Sequence, residues 1–232
     1  MIELVEWDTA HFGIRVGNVT IPDPFAFDYE HLKQEAISGG YDVVYIKSPQ
    51  RIASLDKQNV FCDEKIVYTQ PFIYSQVFNI DNKSIVSWKN KDINSKLKQL
   101  ALDSGKYSRY KLDTNYSDET FEKLYTDWMT NSIRTDFATD VLAYIMNGTP
   151  VGMLTYKIND NTSSIGIISV DENFRGLHIG SKLIDYYKGV QPSNVTELSV
   201  VTQGVNIPAK RFYERNGYHI QDISYIYHCW IK

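Results

Sequence analysis

An Arg-Gly turn followed by a second glycine lies between Val170 and Leu183, and such a combination is suited to binding an anion. Apolar, β-branched residues from Ile165 to Val170 predict a strand, and an amphipathic pattern predicts a helix that begins near Leu177. A helix N-terminus presents unpaired backbone N–H groups at the positive end of the helix dipole, where phosphate is favoured. The sequence therefore predicts an anion site at this turn.

The turn itself is open to a ligand. Gly176 and Gly180 let the backbone approach a ligand without a Cβ in the way, and Arg175 adds a cation that can pair with phosphate. The turn is not a Walker loop, because three residues rather than four separate its glycines. It also lacks the third glycine of the dinucleotide fingerprint. Taken alone, a turn of this kind is structural more often than functional.

A second segment, Asn206–Tyr218, follows another predicted strand, Glu197–Val201. Pro208 suits the first turn of a helix, and Gly217 suits the left-handed residue that ends one. Read structurally, Asn206 is a helix cap and Tyr213 is a core aromatic residue.

Together the two segments resemble the GNAT acetyltransferase superfamily. Arg-Gly-x-x-Ile-Gly follows one strand and Asn-x-x-Ala-x-x-Phe-Tyr-Glu-x-x-Gly-Tyr follows the next, and the resemblance covers about residues 107–232. It implies an α/β (α+β) fold with a mixed central sheet and flanking helices. His178 stands where the family pattern has glycine, which leaves two roles open for its imidazole, contact with a cofactor or exposure to solvent.

The resemblance also implies a cofactor, acetyl-CoA, and a role for each residue of the two motifs. The pyrophosphate would lie over the N-terminus of the helix, the pantetheine arm would pair with the preceding strand, and the N–H of Val170 would hold the oxyanion. Tyr213 would protonate the departing thiolate, and Asn206 would contact the cofactor or order a water, so these two are the expected catalytic residues. The cofactor-binding residues implied, with no metal, are Ile168, Ser169, Val170, Arg175, Gly176, Leu177, His178, Ile179, Gly180, Ser181, Asn206 and Tyr213.

The general base stays open in the sequence. Asp136, Asp140, Asp171 and Glu172 lie on segments that could line the acceptor side, each is more typical of a solvated carboxylate, and a chain of waters could serve instead.

The acceptor is indicated by a second, weaker resemblance. Glu6–Gly13, Leu124–Trp128 and the pair Asp136-Phe137 are similar to dTDP-fucosamine acetyltransferases, which acetylate the 4-amino group of a dTDP-linked 4-amino-4,6-dideoxyhexose. The N-terminal region would then form one wall of a cleft for a small-molecule amine, a nucleotide sugar. Two alternatives stay open: another amine such as an aminoglycoside, a polyamine or a protein N-terminus, and a non-catalytic acyl-CoA-binding module. A packing role is at least as expected for the cluster Trp7, His11 and Phe12.

Composition excludes several classes of protein. The chain has 232 residues and a net charge of −4, so it lacks the basic excess of a general nucleic-acid binder. No apolar run is long enough to span a membrane, the first residues lack the cations of a signal peptide, and two distant cysteines suggest neither a metal site nor a disulfide framework. We expect a cytoplasmic protein and leave a homodimer open.

The elements that position these residues fall into two expected domains, an N-terminal α/β domain of residues 1–104 and an acetyltransferase domain of residues 105–232. Expected strands include Ile2–Trp7, Tyr107–Leu112 and a terminal strand pair over Tyr218–Ile231, broken near Asp222. Asn147-Gly148 predicts a hairpin turn, and Ser117 or Asp118 is expected to cap a long helix.

Overall fold

The computed structural model describes residues 1–74 and 83–231. In chain order its elements are β1 (Glu3–Leu4), α1 (Glu6–Phe12), β2 (Val16–Thr20), α2 (Tyr29–Ser38), β3 (Val43–Ser48), α3 (Ala53–Lys57), β4 (Cys62–Pro71), β5 (Ile85–Ser87), α4 (Ser95–Ser104), α5 (Arg109–Leu112), α6 (Asp118–Arg134), β6 (Asp140–Met146), β7 (Thr149–Asn159), β8 (Thr162–Val170), α7 (Ile179–Gly189), β9 (Glu197–Gln203), α8 (Ile207–Arg215) and β10 (His219–Trp230). Short 3-10 turns cover Pro24–Ala26 and Glu172–Phe174. No helix within the two described ranges is long and apolar enough to cross a membrane.

One mixed sheet of ten strands runs through the described chain, in the order β1-β2-β3-β10-β4-β9-β8-β7-β6-β5. The pairs β2/β3 and β8/β9 are parallel, and the other neighbours are antiparallel. Helices flank this sheet, which confirms the α/β fold class with a mixed central sheet.

The C-terminal strand joins the two halves of the chain. β10 lies between β3 and β4 and pairs with both of them, although they belong to the first third of the sequence. Residues 1–104 and 105–232 therefore share one sheet, and their division into two domains stays a prediction about how the chain folds.

The sheet buries apolar side chains on both faces. Helices α7 and α8 cover one face, where the core includes Leu154, Ile165, Leu183, Tyr187 and Tyr213. Helices α4 and α6 cover the opposite face over the same strands, where the core includes Leu97, Phe121, Met129, Met153 and Ile167. Alternate residues of one strand thus face different helices.

Several local signals are confirmed. The Ser117 hydroxyl caps α6 by accepting from the Thr120 N–H at 3.2 Å. Asn147 and Gly148 have φ of 50° and 75° between β6 and β7, the left-handed pair that a tight hairpin turn requires.

Two expected strands were wrong. Tyr107–Leu112 contains the helical turn α5, because the Ser108 carbonyl accepts from the N–H groups of Lys111 and Leu112, each at 3.0 Å. In the expected strand Ile2–Trp7 only β1 is extended. The chain then enters α1, and Gly13, with φ of 69°, caps the C-terminus of that helix.

The expected terminal strand pair is instead the single strand β10. Its pairing with β4 shifts register between Ile220 and Asp222, a bulge at the place where a break was expected. An antiparallel partner strand was expected within the C-terminal segment itself, but β10 pairs with β4 instead.

Candidate active site

A gap opens in the sheet between β8 and β9. The two strands pair from Thr162 with Glu197 to Ile165 with Val200, and although both strands are fully described, they do not pair beyond that point. β9 instead follows β4 as far as Gln203. The resulting cleft has a volume of about 1080 Å³.

Backbone groups of β8 point into this gap at alternate residues. The Asp171 N–H donates to the Val151 carbonyl at 2.9 Å, so the next residue pair, Val170 opposite Gly152, is a non-hydrogen-bonded pair of the antiparallel ladder. By the same alternation, the N–H and C=O groups of Ile168 and Val170 point away from β7. In the described structure the Val170 C=O accepts from the Arg175 Nε, whereas the N–H groups of Ile168 and Val170 and the C=O of Ile168 are free to pair with a ligand that lies along the strand.

A bulge shapes β8 at the narrow end of the gap. The register with β7 shifts between Leu154 and Tyr156, and the Ile167 N–H donates to the Thr155 hydroxyl at 2.9 Å. Gly166 allows this arrangement, because a Cβ there would lie 2.9 Å from that hydroxyl oxygen. The bulge bends the strand where it leaves its neighbour.

The turn between β8 and α7 has two left-handed residues. Gly176 has φ of 82° with open space around it, and His178 has φ of 58°. α7 therefore begins at Ile179, two residues later than expected. Histidine is among the residues that enter this region more readily, so a backbone that glycine would adopt still forms here. The imidazole of His178 is exposed at the rim of the cleft.

Arg175 and Gly180 lie on either side of that turn. The Arg175 Nε donates to the Val170 carbonyl at 3.2 Å, which holds an exposed guanidinium beside the cleft. A Cβ on Gly180 would lie 3.0 Å from the Phe212 ring, so the glycine lets α7 and α8 approach closely. Of the expected cofactor-binding residues, Leu177 points to solvent and does not line the cleft, whereas the others line it.

The two expected catalytic residues lie on or beside α8. Tyr213 is 5% exposed, its ring packs against Tyr68 and Tyr218, and within residues 1–74 and 83–231 its hydroxyl has no hydrogen-bond partner. Burial raises the pKa of Tyr213, so the phenol keeps its proton at neutral pH. The side chain of Asn206 caps α8 by accepting from the Ala209 N–H at 3.3 Å.

The opposite wall comes from β4, α5 and α6, and the sequence did not single out most of its residues. Arg109 stacks between Tyr45 and Tyr110, with its guanidinium carbon 4.7 and 4.8 Å from the ring centres. It also donates to the Tyr110 hydroxyl at 2.7 Å. The polar and aromatic residues of this wall are Asp63, Lys65, Arg109, Tyr110, Tyr125 and Trp128.

Asp63 is the unusual residue of that wall. Asp63 is 7% exposed, and among the described residues its carboxylate has neither a hydrogen bond nor an ion pair within 4.0 Å. Burial raises the pKa of Asp63 to about 6, although the positive charge of Arg109 opposes the rise. The carboxyl group therefore titrates near neutral pH.

The four carboxylates considered as bases lie elsewhere. None of Asp136, Asp140, Asp171 and Glu172 lines the cleft in the described structure. Asp171 caps the turn after β8 and pairs with Lys96 at 3.4 Å, and Asp140 accepts from Ser87 at 2.6 Å.

The N-terminal aromatic cluster contacts this wall through Phe12 without lining the cleft, and its Trp7 is exposed. Trp7 stacks on His11 with ring centres 4.6 Å apart, and the ring centres of Phe12 and Tyr110 are 5.4 Å apart. The Tyr110 hydroxyl in turn donates to Asp8 at 3.3 Å. The cluster thus supports a residue of the wall, in agreement with its packing role.

Comparison with known proteins agrees with this geometry. Residues 102–218 match the model of the acetyltransferase (GNAT) family. The chain is 29% identical over 138 residues to the spore coat polysaccharide biosynthesis protein SpsD of Bacillus subtilis, an alignment that covers 57% of this chain and 46% of that protein. The chain therefore spans about half the length of this curated relative.

Solved structures show the same fold at low sequence identity. A conserved protein of unknown function from Staphylococcus epidermidis aligns with a TM-score of 0.62 and 18% identity, over 94% of this chain and 84% of that one. A GCN5-related N-acetyltransferase from Sphaerobacter thermophilus aligns with a TM-score of 0.51 and 14% identity, over 94% and 73%.

Proposed function

The chain belongs to the acetyltransferase (GNAT) family, and we propose that it is an acyl-CoA-dependent N-acetyltransferase that transfers an acetyl group from acetyl-CoA to the 4-amino group of a dTDP-linked 4-amino-4,6-dideoxyhexose. The observation that carries the proposal is the gap between β8 and β9, which joins free backbone groups, a helix N-terminus and a buried tyrosine in one cleft. A cytoplasmic location belongs to the same proposal, and a homodimer stays open.

The residues of the β8–α7 wall suit acetyl-CoA. The free N–H groups of Ile168 and Val170 and the free C=O of Ile168 match the amides of a pantetheine arm laid along the strand as if it were a further strand. The turn from Arg175 to Ser181 offers backbone N–H groups and a guanidinium to the diphosphate. Open space at Gly176 leaves room for that contact.

Two kinds of group on this wall would act during acetyl transfer, the backbone N–H groups of β8 and the hydroxyl of Tyr213. Acetyl-CoA supplies a thioester, whose carbonyl oxygen gains negative charge and whose sulfur leaves as a thiolate. The N–H groups of Ile168 and Val170 face the gap, and either can donate to that oxygen, with Val170 as the residue expected from the resemblance. Tyr213 holds a proton at its hydroxyl and is the general acid for the sulfur, with Asn206 beside it as cap and cofactor contact.

The opposite wall supports a nucleotide-sugar acceptor. Lys65 and Arg109 place two cations on it, which suits a diphosphate better than a polyamine or an aminoglycoside. Aromatic side chains such as Tyr125 and Trp128 offer faces to a sugar or a base. The relative SpsD is named for spore coat polysaccharide biosynthesis, and a polysaccharide is assembled from sugar units.

A panel assay tests this proposal. Release of free thiol from acetyl-CoA is measured with dTDP- and UDP-linked 4-amino sugars, and with polyamines, aminoglycosides and a peptide N-terminus as controls. We expect the highest kcat/KM with the dTDP-linked sugar. Activity with the controls alone would assign another amine, and acetyl-CoA binding without any transfer would assign a non-catalytic module.

A further inference from the structure

We infer that the Asp63 carboxylate, on β4 at the acceptor side of the cleft, is the general base that removes a proton from the acceptor amine. This inference rests on the proposed function, because it needs an amine acceptor and an acetyl donor in the same cleft.

Strand alternation places Asp63 on the face from which an acceptor can enter. Ile66 and Tyr68 of β4 pack in the core beneath α7 and α8, so the odd-numbered residues Asp63 and Lys65 face the opposite side, where α5 and α6 lie. Tyr213 reaches the gap from the α8 side. The acid and the base therefore lie on opposite faces of one gap, so that each can reach a different group at the acetyl carbon, the departing sulfur or the incoming amine.

The surroundings of Asp63 suit a base. A buried carboxylate that lacks a partner is costly to fold, and such groups occur where a ligand completes the site. Three charged groups act on it electrostatically, Arg109 from α5 and its own neighbours Glu64 and Lys65. The two cations also favour a neutral amine over an ammonium beside them.

Competing carboxylates are few. Among the described residues, Asp63 and Asp103 are the carboxylates that line the cleft. Asp103 lies in the last turn of α4 and accepts from the Gln99 side chain at 3.0 Å, so part of its hydrogen-bonding capacity is already used. Of these two carboxylates, Asp63 is the one that accepts no hydrogen bond from another side chain in the described structure.

The step balances with the acid already assigned. An N–H bond of the acceptor ammonium breaks and an O–H bond forms on Asp63, directly or through one water. The freed lone pair forms the C–N bond to the acetyl carbon, the C–S bond breaks, and the thiolate takes the proton of Tyr213. Asp63 then releases its proton to solvent, and Tyr213 regains one.

Asp63→Asn tests the assignment, with Glu64→Gln as control because Glu64 is the adjacent carboxylate and does not line the cleft. We expect kcat/KM for the acceptor to fall about 10²- to 10³-fold, with acetyl-CoA affinity and the thermal unfolding midpoint maintained or raised. The wild-type decrease in kcat/KM below pH about 6 is expected to be lost in Asp63→Asn and kept in Glu64→Gln.

Chemical rescue separates loss of the base from loss of structure. Formate added to Asp63→Ala should restore transfer in proportion to its concentration, and absence of rescue in a folded, acetyl-CoA-binding variant overturns the assignment. Unchanged kcat/KM and pH profile in Asp63→Asn overturn it as well. Failure of the wild-type enzyme to acetylate any amine in the panel is a different result, which rejects the proposed function itself.

Discussion

The two walls of the cleft are built in different ways. The cofactor wall, formed by β8, α7 and α8, lies within residues 162–215 and offers mainly backbone groups, a helix N-terminus and one buried tyrosine. The acceptor wall, formed by β4, α5 and α6, combines segments from residues 62–71, 109–112 and 118–134, and offers charged and aromatic side chains. β10 brings the two together, because it anchors β4 beside β9.

This difference separates the binding of acetyl-CoA, which every reaction of the enzyme would share, from the recognition of one particular acceptor. Backbone groups bind a ligand through features that many sequences can supply, whereas under the proposed function the side chains of the acceptor wall would determine which acceptor binds. Changes in the first wall should therefore affect every reaction of the enzyme, and changes in the second should depend on the acceptor.

The largest effect is expected from Tyr213→Phe. Loss of the hydroxyl should lower turnover about 10²- to 10⁴-fold with every acceptor, while the retained ring keeps acetyl-CoA affinity unchanged. Steady-state kinetics and calorimetric titration measure the two quantities.

Tyr218→Phe is its matched control. The Tyr218 hydroxyl is buried without a partner in the described structure and does not line the cleft, so its removal should leave turnover unchanged. Equal turnover in wild type and Tyr213→Phe rejects the assignment of Tyr213 as the general acid.

Two buried titratable groups, His228 and Asp63, predict effects of pH on the free energy of unfolding that have opposite sign. Away from the cleft, His228 Nδ1 lies 2.7 Å from Asp113 Oδ2, and burial lowers the pKa of His228 to about 4. The imidazole of the unfolded chain has a pKa of about 6.5, so on acidification the unfolded state takes up this proton before the folded state does. The free energy of unfolding should therefore fall by about 3 kcal/mol as pH drops from 6.5 to 4. Asp63 has a raised pKa, so its destabilising charge disappears as pH falls through about 6.

Urea unfolding at several pH values separates the two contributions. His228→Gln should flatten the acid loss of stability, and Asp63→Asn should steepen it because the opposing gain is removed. Identical slopes in His228→Gln and wild type contradict the linkage.

Arg175→Ala should weaken acetyl-CoA binding about 10- to 100-fold, the value of one or two charge-assisted hydrogen bonds to phosphate. Arg211→Ala is the control, since Arg211 is exposed on α8 and does not line the cleft. Calorimetric titration measures both affinities, and an equal loss in the two variants would indicate a general charge effect.

The smallest effect is expected at His178. His178→Gly should leave the free energy of unfolding unchanged or raise it by up to about 1 kcal/mol, because glycine adopts a positive φ without strain. His178→Val should lower it by about 1–2 kcal/mol. Equal stability of the two variants in urea unfolding contradicts a left-handed residue 178.

The sequence predicts the cofactor wall far better than the acceptor wall, for a physical reason. The motifs around Arg175 and Tyr213 encode turns and caps within a few residues, so local pattern is enough to place them. Asp63 lies on β4, and its burial depends on α5 and β10, which come from distant parts of the chain. An aspartate in a polar run gives no local sign of that burial.

Hydrogen exchange of individual amides tests the central claim, that acetyl-CoA occupies the gap between β8 and β9. On addition of acetyl-CoA, exchange should slow at Ile168 and Val170, whose N–H groups face the gap. Ile167, whose N–H already donates to Thr155, should change little. Unchanged exchange at Ile168 and Val170 with saturating acetyl-CoA would contradict the account.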